Sequence, residues 1–120
     1  MRVAGFGFRS AATAASLRDA LDRAGGGADG LATSADKAAT PVFRGFAGEM
    51  RLPVLAVAPE SLADQPTITH SPRVAARFGT GSLAEAAALV AAGPGARLLG
   101  PRAVSGDGLA TAAIAERIDE

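Results

Sequence analysis

Apolar runs of strand length alternate with amphipathic helical runs along the chain. This alternation predicts an α/β fold, a single-domain α/β/α sandwich spanning residues 1–120 around a mostly parallel sheet of about five strands. Two further observations support it. Most junctions carry a start or stop signal, from cap-then-proline pairs to glycine runs. The 120 residues, at 48% hydrophobic content, suffice for one core and are too few for two. The final segment leaves one alternative open, an antiparallel strand at the sheet edge.

Arg2–Phe8 reads as the first strand, with Val3, Ala4 and Phe6 buried. Thr13–Ala24 follows as a helix, with Ala14, Leu17, Leu21 and Ala24 on one face and Arg18, Asp19, Asp22 and Arg23 mostly on the other. Ser10 or Thr13 caps it, and Gly25-Gly26-Gly27 ends it. Gly30–Thr33 is a short second strand. Thr40-Pro41 supplies an N-cap and first helical position for a helix to about Arg51. Pro53–Ala58 is the third strand, with its proline at the first position, where a missing donor is tolerated. Pro59–Leu62 forms a short helical turn, and Ser71-Pro72 starts a helix that stops at Phe78-Gly79. Ser82-Leu83-Ala84-Glu85 has the form of a capping box. The helix it opens turns Leu83, Ala86, Ala87 and Val90 to the core and ends at Gly93-Pro94-Gly95. Arg97–Gly100 is a fourth strand, and Leu109–Ile118 a fifth, although its alanines would also suit a helix. No internal repeat or domain linker is visible.

The formal net charge of zero gives no sign of a nucleic-acid surface or a polybasic membrane anchor. Without cysteine there is no disulfide, no thiolate metal site and no thiol nucleophile, which suits a cytoplasmic protein. The single histidine, His70, excludes a multi-histidine metal cluster, and neither metal nor cofactor is expected. Arg9 breaks the first apolar run before it reaches signal-peptide length, and no run approaches a membrane span.

The chemistry concentrates at Gly5-Phe6-Gly7-Phe8-Arg9-Ser10. The glycines permit a sharp turn or the close approach of a ligand, and Arg9 precedes a helix N-terminus, so the segment predicts a site for carboxylates or phosphates. A dinucleotide fingerprint fits less well. Ser10 stands in place of the third glycine, Asp36 would be the ribose acid, and 120 residues hold about half of such a fold. Ligands of open α/β sheets collect outside the carboxyl ends of the strands. Gly5–Ser10, Thr33–Lys37 and Pro101–Gly108 are therefore candidates for one rim, along which Arg9, Lys37 and Arg102 gather as cations. Each cation, taken singly, is also explained as a solvated surface charge. Ser82 at Gly79-Thr80-Gly81-Ser82 is explained by capping, with an anion contact as the alternative. His70, in a threonine-rich loop, and Lys37 are the candidate bases. Glu60 and Asp64 offer no paired-carboxylate site. The five phenylalanines read as core, with one at the rim able to meet a flat macrocycle.

The chain resembles the family of CobE and the C-terminal domain of CbiG. The family's Gly-x-Gly-x-Arg opening is matched by Gly5, Gly7 and Arg9, and its Leu-Ala-Thr-x-x-x-Lys segment by Leu31, Ala32, Thr33 and Lys37. Leu52-Pro53 and Pro59–Leu62 match a strand start and a short acidic helix. The most specific stretch is matched by Val74, Gly79, Ser82, Leu83, Ala84, Glu85, Ala86, Ala87, Ala88 and Leu89. Pro101, Arg102, Ser105, Gly106, Thr111, Ala113 and Ala115 match the closing pattern. Two departures stand out: Ala38-Ala39-Thr40-Pro41 lacks the acidic residue often found after the lysine, and Phe8 replaces a common cysteine. The resemblance implies a role in building the corrin ring of cobalamin, and the chain looks like the stand-alone CobE form. CbiG-like proteins open the lactone of a cobalt-precorrin and release a two-carbon aldehyde. The expected ligand is a precorrin or corrin intermediate, held as a carrier or helper of a pathway enzyme. A lactone-opening hydrolase and a phosphate or nucleotide binder are the alternatives. The implied partners are that intermediate, another pathway enzyme and a second copy of the chain. The ligand-binding candidates are Gly5, Gly7, Arg9, Ser10, Thr33, Lys37, Gly79, Ser82, Arg102, Ser105 and Gly106.

Overall fold

A computed structural model describes residues 1–63 and 65–118, so Asp64 lies outside the described residues. The elements run β1 (Arg2–Phe8), α1 (Ala14–Ala24), β2 (Gly30–Ser34), α2 (Ala35–Ala38), α3 (Pro41–Met50), β3 (Val54–Val57), α4 (Pro59–Leu62), α5 (Pro72–Phe78), α6 (Leu83–Ala92), β4 (Arg97–Leu98), β5 (Ala103–Val104) and β6 (Ala110–Glu116). The strands form one six-stranded sheet in the order β3-β2-β1-β6-β4, with β5 also paired to β6.

The sheet is mixed, which corrects the expectation of a mostly parallel one. β1 and β2 are parallel, as are β2 and β3. The final strand is antiparallel to β1 along its whole length, from Arg2 opposite Glu116 to Phe8 opposite Ala110. It lies inside the sheet rather than at its edge, because β4 and β5 pair with its other side. The fourth strand is also shorter than expected: Arg97–Leu98 pair with β6, the Leu99 amide still donates to the Ile114 carbonyl at 2.9 Å, and the chain pairs with β6 again at Ala103–Val104.

The two faces follow from the period-two alternation of β1. Ala4, Phe6 and Phe8 join Leu17, Ala20 and Leu21 of α1, Phe43, Phe46 and Ala47 of α3, and Ala110, Ala112 and Ile114 of β6. Phe6 meets Phe43 and Phe46 edge-on at 5.6 and 5.4 Å between ring centroids, and Phe8 stacks on Phe43 at 5.7 Å. On the opposite face, Val3, Ala32, Val57 and Ala115 meet Leu62 of α4 and Leu83, Ala86, Ala87, Ala88 and Ala92 of α6. The helices thus cover both faces of the sheet. Among the described residues no helix is long and apolar enough to cross a membrane.

Gly5 and Gly7 lie within β1 and make no turn. They point to the α6 side. A Cβ on Gly5 would collide with the Ala84 carbonyl oxygen and lie 2.5 Å from the Ala88 amide nitrogen. Gly5 thus lets an alanine-rich helix rest its backbone against the sheet.

The expected box at Ser82 is half formed. Ser82 accepts the Glu85 amide at 3.3 Å, but the Glu85 carboxylate turns away to other donors. A complete box stands at the start of α1, where Thr13 and Ser16 satisfy each other's amides.

Candidate functional site

β1 and β2 end at the same side of the sheet, where β6 begins. An open cleft of about 760 Å³ lies there, within the size range of small-molecule sites. Its floor comes from Gly7, Phe8 and the start of β6, and one wall from α2 and Thr40. The opposite wall is α5, with Ser71, Arg73, Val74, Arg77 and Phe78. No residue of α5 is fully buried, and it is held by Val74 and Phe78 against the core and by the Arg77–Asp36 ion pair.

Five lining residues are cationic (Arg9, Lys37, Arg73, Arg77 and Arg102) and one, Asp36, is acidic. In a chain of zero formal net charge, this is a segregated field that favours anions. Asp36 is already engaged: it accepts the Ser34 hydroxyl at 2.6 Å and Arg77 Nη2 at 2.6 Å. The Ser34 hydrogen bond, aided by the Lys37 amide and the Arg77 charge, outweighs burial and holds the Asp36 carboxyl below its usual range. The guanidinium groups of Arg9, Arg73 and Arg102 make no hydrogen bond or ion pair among the described residues.

Lys37 follows β2 on the single turn of α2 and is half-buried. Its Nζ donates to the Phe8 carbonyl at 2.7 Å and sits 4.8 Å from the Phe8 ring centroid. Burial lowers the pKa of its ammonium, Arg77 lowers it further, and Asp36 works in the opposite direction.

Arg102 is positioned by a buried anchor. Glu85 on α6 is fully buried, and its carboxylate accepts the amides of Arg102 at 2.9 Å and Thr69 at 3.1 Å, the Thr69 hydroxyl at 2.7 Å and the Ile68 amide at 2.5 Å. Burial pushes the Glu85 carboxyl up, but the bonds from Thr69, Arg102 and Ile68 outweigh it and hold it below its ordinary value. One side chain therefore pins both the loop leading into α5 and the segment carrying Arg102.

Of the ligand-binding candidates, the fold brings Gly7, Arg9, Ser10, Lys37 and Arg102 to the cleft. Gly5 lies under α6. The Thr33 hydroxyl is buried and bonds the Phe6 carbonyl at 2.8 Å, and Ser82 caps α6. Gly79 is the left-handed C-cap of α5. The Ser105 hydroxyl donates to Asp107 at 2.6 Å, and the Gly106 amide donates to Asp19 at 2.7 Å. His70 is exposed, packs over Gly81 and does not line the cleft. The start of α1 is less open than the sequence suggests, because Thr13 and Ser16 cap it and Ser16 donates to Asp107 at 2.5 Å.

Sequence reasoning missed Arg73 and Arg77. Their spacing of four residues places both on one face of α5, and that pattern is the signal that could have found them.

A family model described as "Cobalamin synthesis G C-terminus" matches residues 2–115. No curated protein matches the chain significantly. Among solved structures, CobE, described as a protein from the cobalamin (vitamin B12) biosynthetic pathway, is similar with a TM-score of 0.87 and 32% identity, over 100% of this chain and 92% of its own. The cobalamin biosynthesis protein chiG from Agrobacterium tumefaciens is similar with a TM-score of 0.72 and 37% identity, over 99% of this chain and 100% of its own.

Proposed function

This chain belongs to the CobE and CbiG C-terminal family of cobalamin biosynthesis proteins, and from that premise we propose that it binds a precorrin or corrin intermediate in the cleft beside β1, as a carrier or helper of a pathway enzyme in the cytoplasm. The observation that carries this reading is the charge of the cleft: five cations face one carboxylate, and that carboxylate is already neutralised by Arg77. Precorrins and corrinoid acids are rings edged with acetate and propionate groups. Three unpaired guanidiniums at separate points of the cleft suit several carboxylates on one rigid ligand. Phe78 and Leu109 add apolar surface for the ring.

The alternative of a lactone-opening enzyme has one observation in its favour, the Lys37 amine within the cleft. The phosphate-binder alternative draws less support, since the capping box of the first helix already takes the Thr13 and Ser16 amides.

The test is charge removal followed by titration with hydrogenobyrinic acid. Arg9→Ala, Arg73→Ala and Arg102→Ala should each weaken binding by about threefold to tenfold, and the triple variant by about 100-fold. The wild-type affinity should also fall steeply with added salt. Unchanged affinity in a folded triple variant would remove these arginines from the site.

A further inference from the structure

We propose that Lys37 is a covalent capture site for an anionic carbonyl compound, its amine condensing with an aldehyde or ketone carbon to form an imine within the cleft. This uses the cleft as a ligand site but does not depend on the ligand being a tetrapyrrole.

The first support is the distribution of cations. Lys37 is the only lysine in the chain, and the other eleven of its twelve basic residues are arginines. Arginine serves for anion recognition and stays protonated in proteins, so it cannot act as an amine nucleophile. The one basic side chain able to do so stands in the cleft, among the arginines that would orient an anion.

The second support is how the amine is held. Lys37 forms no ion pair among the described residues, because the adjacent acid, Asp36, is taken by Ser34 and Arg77. The carbonyl and the ring of Phe8 fix Nζ at the cleft wall. Burial without a carboxylate partner, with the Arg77 charge nearby, makes the proton easier to lose than from a solvated lysine. The lowered pKa of Lys37 agrees in direction with that geometry.

The condensation balances without an oxidant or reductant. The lone pair of the neutral Nζ attacks the carbonyl carbon, and the C=O π electrons move to oxygen. The two protons lost by nitrogen leave with that oxygen as water, and a C=N bond remains. Arg9, Arg73 and Arg102 would hold a carboxylate or phosphate of the same molecule, raising the local concentration of carbonyl at Nζ.

Pyridoxal 5′-phosphate is a suitable probe, because it carries both an aldehyde and a phosphate. The intact protein is treated with it and cyanoborohydride at neutral pH, and the adducts are located by peptide mass mapping. Lys37 and the Met1 amino group are the two amines available. The expected result is modification at Lys37 at least tenfold faster than that of Nα-acetyl-lysine, slowed by excess inorganic phosphate. Lys37→Arg should lose this adduct, and because the wild-type labelling is read with no tetrapyrrole present, its outcome is separate from that of tetrapyrrole binding. Labelling confined to Met1, or Lys37 reacting no faster than Nα-acetyl-lysine, would overturn the proposal. The wild-type rate decides this even if the variant fails to fold.

Discussion

Glu85→Ala is expected to destabilise the protein by about 3–5 kcal/mol, a large part of the roughly 5–15 kcal/mol that holds a domain of this size together. The buried carboxylate accepts from Ile68, Thr69 and Arg102, and its removal leaves those donors without a partner. The damage should spread to binding, because the loop entering α5 and the segment bearing Arg102 lose their common anchor. Glu85→Gln keeps the shape and one acceptor oxygen and should cost less, leaving a folded protein to measure. Chemical denaturation reads the first effect.

The same carboxylate carries a pH dependence of known sign. Its folded-state pKa is below the ordinary 4.5, so its contribution is complete above that value and is lost as pH falls through the lower, folded value. Wild-type stability should therefore drop more steeply than that of Glu85→Gln as the solution is acidified below pH 4.5. Parallel curves would show that the carboxylate charge contributes nothing.

Gly5→Ala should be comparably severe, about 3 kcal/mol or more, from a single added methyl group. The clash is with the backbone of α6, at Ala84 and Ala88, and a helix packed on the sheet can relieve it only by lifting away. Gly48 of α3 is the control. A Cβ there meets nothing within 4 Å, so Gly48→Ala should stabilise by about 0.5–1 kcal/mol through helix propensity. Thermal melts of the two variants should move in opposite directions. A wild-type melt for Gly5→Ala would contradict the close contact between α6 and β1.

These contrasts show where the sequence was legible. α1 and α3 carry plain apolar stripes and terminal signals, and β1 is a short run buried almost throughout, so their positions could be read from local chemistry. β6 could be recognised as a strand, but its place inside the sheet depends on β1, a partner about a hundred residues distant. Local pattern does not encode such pairing. α2 is a single turn of four residues and gives no period to detect.

The site was legible to a similar degree. Arg9, Lys37 and Arg102 follow strands, and the topology gathers them. Arg73 and Arg77 read as the solvated face of a short helix, and only the position of α5 across the strand ends makes them cleft residues. Glu85 fits the local capping rule. Donors from Ile68, Thr69 and Arg102 compete for it, and they are invisible in a four-residue window. Gly5 and Gly7 suggested a turn. Two glycines at alternate positions of one strand also mark a face bared for another backbone, and that is the arrangement found here for Gly5.

The central claim is that the cationic cleft receives a corrin-pathway polycarboxylate. Its most direct test is an anaerobic absorbance titration of the wild-type protein with precorrin intermediates and hydrogenobyrinic acid, followed through the ligand's own spectrum in a protein that lacks Trp and Tyr. The account predicts saturable binding at one ligand per chain, weakened by salt, with the ligand recovered unchanged. No spectral response to any of these tetrapyrroles would contradict it.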